Sequence, residues 1–142
     1  MPSDTADLLK RVPLFSDLSD KERENVANTM KQRTFQPGDT IAAEGTGGVG
    51  FFVIDDGEAV VTVGGEEVGR LGRGDYFGEI ALIAETDRTA TVKAQSELRC
   101  YGLTSWEFRP LVEGNASIAW KLLEAMAQKL RAAEQRHQDH HR

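Results

Sequence analysis

The feature that most constrains the fold is the segment from residue 33 to residue 104, in which short apolar runs alternate with glycine-bearing turns. Residues 51–54 form a continuous apolar run, which predicts a buried strand. Residues 55–57 end in an Asp-Gly pair, which is favoured in hairpins, and Gly64 with Gly65 predicts another tight turn. Many short strands separated by glycine turns are typical of a barrel or jelly roll, and they argue against alternating strand–helix units.

A helical pattern precedes this segment over residues 7–31. Pro13 interrupts the pattern, so we expect two helical pieces. Ser19 is followed by Glu22 three positions later, which is the pattern of a capping box at the start of the second piece. We expect these helices to cover one end of the barrel.

The chain returns to a helical pattern over residues 105–136. Asn115 is placed to cap the longer of two helices there. The apolar positions of this long helix form a narrow stripe, which either packs on the barrel or pairs with a second copy of the chain: Ala119, Leu122, Leu123, Met126, Leu130 and Ala133. The polar tail, residues 137–142, holds all three histidines, and a frayed terminus is favoured there over a metal site.

Together these patterns predict a single domain over residues 1–142. The predicted class is α+β and mainly β, a β-roll or jelly-roll barrel between N-terminal and C-terminal helices, with one short helix inside the roll. The net charge is −6 and the basic residues are scattered, so direct binding of nucleic acid is disfavoured. The chain has no apolar run of transmembrane length, and its one cysteine, Cys100, is expected to be a buried thiol. We therefore expect a cytoplasmic protein.

Residues 77–92 carry the chemistry expected of a binding site. Residues 80–84 can form one helical turn, whose first backbone N–H groups have no partner within the helix and can bind an anion. Arg88 supplies a planar guanidinium that matches two phosphate oxygens. Ala90 is small enough for a backbone N–H to approach the same oxygens. This half of the stretch predicts a site for a small phosphodiester.

The other half of the stretch suits a hydroxyl group. Glu79 would repel a phosphate, but its carboxylate can accept a hydrogen bond from a neighbouring hydroxyl such as that of a ribose. Gly78 lets the backbone come close to the sugar. A structural ion pair between Glu79 and Arg88 is the alternative interpretation, and the small residues around both side chains favour a ligand site.

These residues resemble the phosphate-binding cassette of the cyclic nucleotide-binding domains, in residues 77–82 and again in residues 88–92. This family includes the regulatory subunits of cyclic-AMP-dependent protein kinase, cyclic-nucleotide-gated channels and the bacterial catabolite activators. The resemblance extends over roughly residues 8–136, and it includes the segments 12–15, 35–39, 52–54 and 74–79.

The resemblance implies a role for each part of the stretch. It places the phosphate against Arg88, Thr89, Ala90 and Ala81. It places the ribose against Gly78, Glu79 and Ile80. It places the base against Val68, Leu71, Thr89 and Val92. It implies a regulatory sensor whose helices rearrange on ligand binding, with an effector protein as partner, no cofactor and no metal.

The sequence departs from the family at two points. Asp87 stands where kinase-type cassettes often have proline before the arginine. In the long helix, Ala133 and Glu134 stand where catabolite activators place a Thr-Ser pair against the adenine. The resemblance therefore does not by itself imply the base contact of those activators, or a dimer built around it, for this chain.

Cyclic AMP is the favoured ligand, partly because the sequence resembles bacterial members. Thr89 leaves cyclic GMP open, since a hydroxyl there can meet either the guanine amino group or the phosphate. A second alternative is the ligand-binding fragment of a catabolite-activator-type transcription factor. An enzyme is disfavoured, because a metal-dependent barrel enzyme needs imidazole ligands and no histidine precedes His137. We expect a monomer or a homodimer through the long helix.

Overall fold

The computed structural model describes residues 4–42, 50–79 and 90–140. Within these ranges eight strands form two four-stranded antiparallel sheets, ordered β1-β8-β3-β6 and β2-β7-β4-β5. The strands are β1 Lys31–Phe35, β2 Thr40–Ala42, β3 Gly50–Asp56, β4 Ala59–Val63, β5 Glu66–Leu71, β6 Tyr76–Phe77, β7 Thr91–Ala94 and β8 Leu98–Thr104. Two packed sheets with this strand order form a jelly roll, so the fold predicted from the spacing of the strands is confirmed.

Helices lie before and after the roll. In the described ranges they are α1 Asp4–Lys10, a 3-10 helix Pro13–Phe15, α2 Asp20–Thr29, α3 Ser105–Gly114 and α4 Ala116–His140. The predicted capping box starts α2: the Glu22 amide donates to Ser19 Oγ at 3.1 Å and the Ser19 amide donates to Glu22 Oε1 at 2.9 Å. None of these helices is long and apolar enough to cross a membrane.

Strand β3 is buried on both faces, which explains its continuous apolar run. Phe51 and Val53 pack into a core shared with the helices, whereas Ile54 packs into a second core between the two sheets. Strand β8 does the same, with Leu103 on the helical side and Cys100 between the sheets. Strands covered on both faces lose the alternation of apolar and polar residues that a half-exposed strand shows.

The predicted hairpin at residues 55–57 is wrong. Strand β3 pairs with β8 and β6, and β4 lies in the other sheet, so the turn carries the chain from one sheet to the other. The Asp-Gly pair does form a sharp turn, as its composition predicts, since Gly57 has a φ of +96°. A local dipeptide does not encode which strand becomes the neighbour. The turn at Gly64 and Gly65 is a hairpin as predicted, with Val63 opposite Glu66.

The buried Arg23 ties the 3-10 helix to α2. It donates to the carbonyl oxygens of Phe15 at 3.4 Å, of Ser16 at 3.1 Å and of Leu18, and it pairs with Asp20. The sequence alone gave no sign of this role, because an arginine in an exposed-looking helix is normally solvated.

The long helix α4 begins directly after Asn115, as predicted, but the cap differs. The Asn115 side-chain amide donates backwards to the Leu111 carbonyl at 2.7 Å, while its own carbonyl accepts from the Ile118 and Ala119 amides. The predicted apolar stripe of α4 is only partly buried. Leu122 is 3% exposed, whereas Leu123 and Leu130 are 58% and 61% exposed.

Cys100 is buried between the sheets, and burial raises the pKa of its thiol to about 12. Because the thiolate is the reactive form, we expect no measurable reaction of the folded protein with Ellman's reagent at pH 8. One equivalent should react after unfolding in guanidinium chloride, which is the control for reagent and thiol. Full reaction of the folded protein would contradict the burial of this side chain.

Candidate functional site

The described part of the site begins where strand β6 leaves the sheet. Phe77 pairs with Phe52 of β3, and the two rings stack with centroids 5.3 Å apart. The next residue, Gly78, has a φ of +102°, a conformation that other residues adopt only with strain. The chain therefore turns sharply after β6, at a position that requires glycine. Glu79 is the next residue.

Glu79 is a buried carboxylate, with its side chain only 4% exposed. Its Oε1 accepts a hydrogen bond from Lys129 Nζ of α4 at 3.3 Å. Its Oε2 is also buried and has no hydrogen-bond partner among the residues that the structure describes. A buried carboxylate oxygen without a partner is costly, so this atom indicates a place where a ligand can donate a hydrogen bond.

Tyr76 links this carboxylate to the aromatic core. Burial, and secondarily the charge of Glu79, raises the pKa of the Tyr76 phenol. Its ring lies 5.5 Å from the ring of Phe51, which also contacts Phe15 and stacks on Phe108 at 5.0 Å. The segment that carries Glu79 is thus connected through Phe51 to side chains of the 3-10 helix and of α3.

The predicted base walls lie on two strands of one sheet, β7 and β5, with β4 between them. Val92 of β7 is buried, and half-buried Leu71 of β5 packs against the same cluster between the sheets. Val68 lies on β5, at the edge of the sheet, and is 60% exposed. Ala90 is half-buried and directly precedes β7. The roles of these four residues toward a base or a phosphate stay predictions.

Part of the predicted site lies outside the described residues. This holds for Ile80 and Ala81 in the predicted helical turn, and for Asp87, Arg88 and Thr89. Of the predicted site residues that are described, Gly78 and Glu79 lie side by side at the end of β6. No cluster of three or more histidine, cysteine, aspartate or glutamate side chains suited to a metal ion occurs in the described ranges.

Lys129, which contacts Glu79, was not among the site residues predicted from the sequence. The residue is 50 positions from Glu79 and lies in a helix whose exposed face carries several other charges. A lysine at such a position is normally solvated, and the sequence carries no signal that distinguishes it. Only the packing of α4 near the end of β6 brings the two side chains together.

The fold and this site define a jelly roll with flanking helices and a buried acid where a short strand ends. A sequence model of the family described as "Cyclic nucleotide-binding domain" matches residues 32–115. This match covers more than half of the chain, and the chain belongs to the cyclic nucleotide-binding domain family. The predicted family is confirmed.

Relatives of known identity share both sequence and fold with the chain. The cAMP-dependent protein kinase regulatory subunit of Yarrowia lipolytica is 40% identical over 106 residues, which are 73% of this chain and 28% of the relative. The regulatory domain of Toxoplasma gondii PKA, solved with cAMP, is 30% identical with a TM-score of 0.79, covering 88% of this chain and 49% of that one. A PKAR CBD2 structure bound to Sp-2Cl-cAMPS is 31% identical with a TM-score of 0.78, covering 91% and 88%.

Proposed function

We propose that the chain binds a 3′,5′-cyclic nucleotide, with cyclic AMP as the preferred ligand, and acts as a regulatory sensor without catalytic activity. The observation that carries this proposal is the buried Glu79 carboxylate, whose Oε2 lacks a partner among the described residues. A ribose 2′-hydroxyl supplies the missing donor. Relatives solved with cyclic AMP or with Sp-2Cl-cAMPS support the choice of ligand.

The ligand would lie with its sugar and its phosphate in separate subsites. Glu79 and the backbone at Gly78 and Ile80 would hold the ribose, since a carboxylate next to the phosphate would repel it. Arg88 would pair with two phosphate oxygens, assisted by Thr89, Ala90 and Ala81. The base would lie against Val68, Leu71, Thr89 and Val92, and the partial exposure of Val68 and Leu71 leaves apolar surface for it to cover.

Ligand binding would act through the helices at both ends of the roll. Tyr76 contacts Phe51, which in turn contacts Phe15 of the 3-10 helix and Phe108 of α3. A ligand that draws the segment after β6 inward changes the packing on this aromatic group and shifts the population of helix positions. An effector protein that contacts the helices would sense this shift, as the kinase regulatory subunits among the relatives suggest.

The oligomeric state and the cellular location of the sensor are also proposals. The chain spans less than a third of the length of the curated regulatory subunits, with 28% and 26% covered. A monomer or a homodimer through α4 stays the prediction, and the exposed Leu123 and Leu130 on that helix are compatible with either. We also propose a cytoplasmic location, because the single cysteine is a buried free thiol, which is typical of a reducing compartment.

The proposal is tested by titrating cyclic AMP and cyclic GMP into the wild type and into Arg88→Leu in a calorimeter. We expect the wild type to bind cyclic AMP more tightly than cyclic GMP. Arg88→Leu should weaken cyclic AMP binding by about 100-fold, because two charge-assisted hydrogen bonds to the phosphate are lost.

The matched control is Arg33→Leu, which removes an exposed arginine from β1. This variant should bind both nucleotides as the wild type does. If neither nucleotide binds the wild type, or if Arg88→Leu binds as well as Arg33→Leu, the proposed function is wrong. Tighter binding of cyclic GMP would keep the family role and reverse the assignment of the ligand.

A further inference from the structure

The pair formed by Lys129 and Glu79 joins two parts of the molecule that are distant in sequence. Lys129 lies within α4 (Ala116–His140), and Glu79 directly follows the turn at Gly78. Lys129 Nζ donates to Glu79 Oε1 at 3.3 Å. The lysine side chain is 60% exposed, whereas the glutamate side chain is 4% exposed.

The two partners depend on this contact to different degrees. An exposed lysine loses little when an ion pair breaks, because water replaces the carboxylate. A buried carboxylate loses much more, since its charge is then neither solvated nor paired. Among the described residues Lys129 is the one hydrogen-bond donor to the Glu79 carboxylate, so the conformation of this carboxylate depends on where α4 lies.

The pair leaves one oxygen of the carboxylate available. Oε1 is taken by Lys129, and Oε2 is buried without a partner among the described residues. A carboxylate anchored through one oxygen has its second oxygen fixed in direction. It can then accept a hydrogen bond without first losing side-chain freedom, which favours binding of a donor.

We propose that Lys129 is a positioning residue, which holds Glu79 through Oε1 so that Oε2 accepts the ribose 2′-hydroxyl. This inference rests on the proposed function and adds a residue of α4 to it. Recognition of the hydroxyl then requires α4 to be packed near the end of β6. By thermodynamic reciprocity, a ligand that carries the hydroxyl stabilises the packed position of α4, and a partner that displaces α4 weakens recognition of the hydroxyl.

The test compares cyclic AMP with 2′-deoxy cyclic AMP, which lacks only the hydroxyl in question. Both ligands are titrated by calorimetry into the wild type, Lys129→Met and Lys129→Arg. The wild type should bind cyclic AMP more tightly than the deoxy ligand. Lys129→Met should weaken cyclic AMP binding by about tenfold and leave the affinity for the deoxy ligand unchanged, because only the hydroxyl contact depends on the position of Glu79. Lys129→Arg, which keeps the charge, should restore most of the difference in affinity between cyclic AMP and its deoxy analogue.

Lys121→Met is the matched control, since Lys121 lies two turns earlier on the same helix and its Nζ lies 3.6 Å from Asp17 instead. It should bind both ligands as the wild type does. An equal loss for both ligands in Lys129→Met would overturn the inference, because a general loss of helix packing is not positioning of one carboxylate. Tighter binding of cyclic AMP by Lys129→Met would also overturn it, and would make the lysine a competitor of the hydroxyl.

The remaining outcomes separate this inference from the proposed function. If the wild type binds cyclic AMP and its deoxy analogue equally, the inference fails and cyclic-nucleotide binding stands. If the wild type binds neither, the proposed function fails and the inference with it. Thermal unfolding of each variant shows whether it is folded at the temperature of the titration.

Discussion

Replacing Phe51 with alanine is expected to lower the free energy of unfolding by about 3–5 kcal/mol. The side chain is fully buried in β3, and its ring contacts those of Phe15, Tyr76 and Phe108 with centroids 5.0–6.3 Å apart. Truncation leaves a cavity between the roll and the helices that flank it. The three partner rings belong to three different elements, so the cavity cannot collapse by moving one of them. Urea denaturation followed by circular dichroism measures the loss.

The control for this variant is the neighbouring Phe52→Ala. Phe52 lies on the other face of the same strand, is half-buried, and stacks on the Phe77 ring alone among the ring pairs of the described residues. Its truncation should cost less than that of Phe51, because less apolar area returns to water. If the two variants lose the same stability, the aromatic group around Phe51 is not a main source of stability in this protein.

The elements that were predicted correctly depend on residues close together in the chain. The capping box at Ser19 and the hairpin at Gly64 and Gly65 are encoded by neighbouring residues, so the sequence is sufficient to find them. The partner of β3 is not encoded in this way. The pair formed by Asp56 and Gly57 specifies a turn, while the choice of β8 and β6 as neighbours follows from burying both faces of the strand.

The same distinction applies to the site. Gly78 and Glu79 are neighbours in one contiguous stretch, so the sequence alone predicts that they lie together, and the positive φ of Gly78 lies at that same point. Lys129 was not predicted, because its contact with Glu79 depends on how a helix packs 50 residues later. Arg23 was missed for a different reason: its carbonyl partners are near in the chain, but they lie in a turn whose geometry the sequence does not specify. The proximity of Gly78 and Glu79 is thus encoded locally, whereas the contact of Glu79 with α4 is not.

Gly57→Ala is expected to destabilise the protein by about 2–5 kcal/mol, although it adds a single methyl group. Gly57 has a φ of +96°, which alone costs a residue with a Cβ about 1–2 kcal/mol. A Cβ at this position would lie 2.2 Å from the carbonyl oxygen of Glu97 and 3.0 Å from Leu98 Cα. Both are backbone atoms where the β7–β8 connection enters β8, so relief of the overlap requires this part of the backbone to move. Thermal and urea denaturation give the size of the loss.

The matched control is Gly38→Ala, which separates the two contributions. Gly38 has a nearly equal φ of +90°, and a Cβ there would meet no atom within 4 Å. Its substitution should therefore cost only the conformational strain, and the difference between the two variants measures the steric overlap at Gly57. That overlap arises because the neighbouring Glu58 is bound to the β7–β8 connection, its amide donating to Ser96 Oγ at 3.0 Å and its carbonyl accepting from the Gln95 amide at 2.8 Å. Equal losses of stability for Gly57→Ala and Gly38→Ala would show that the backbone around Gly57 can move enough to accommodate the added methyl group. In that case the crossing between the sheets would not depend on the close approach of Gly57 to β8.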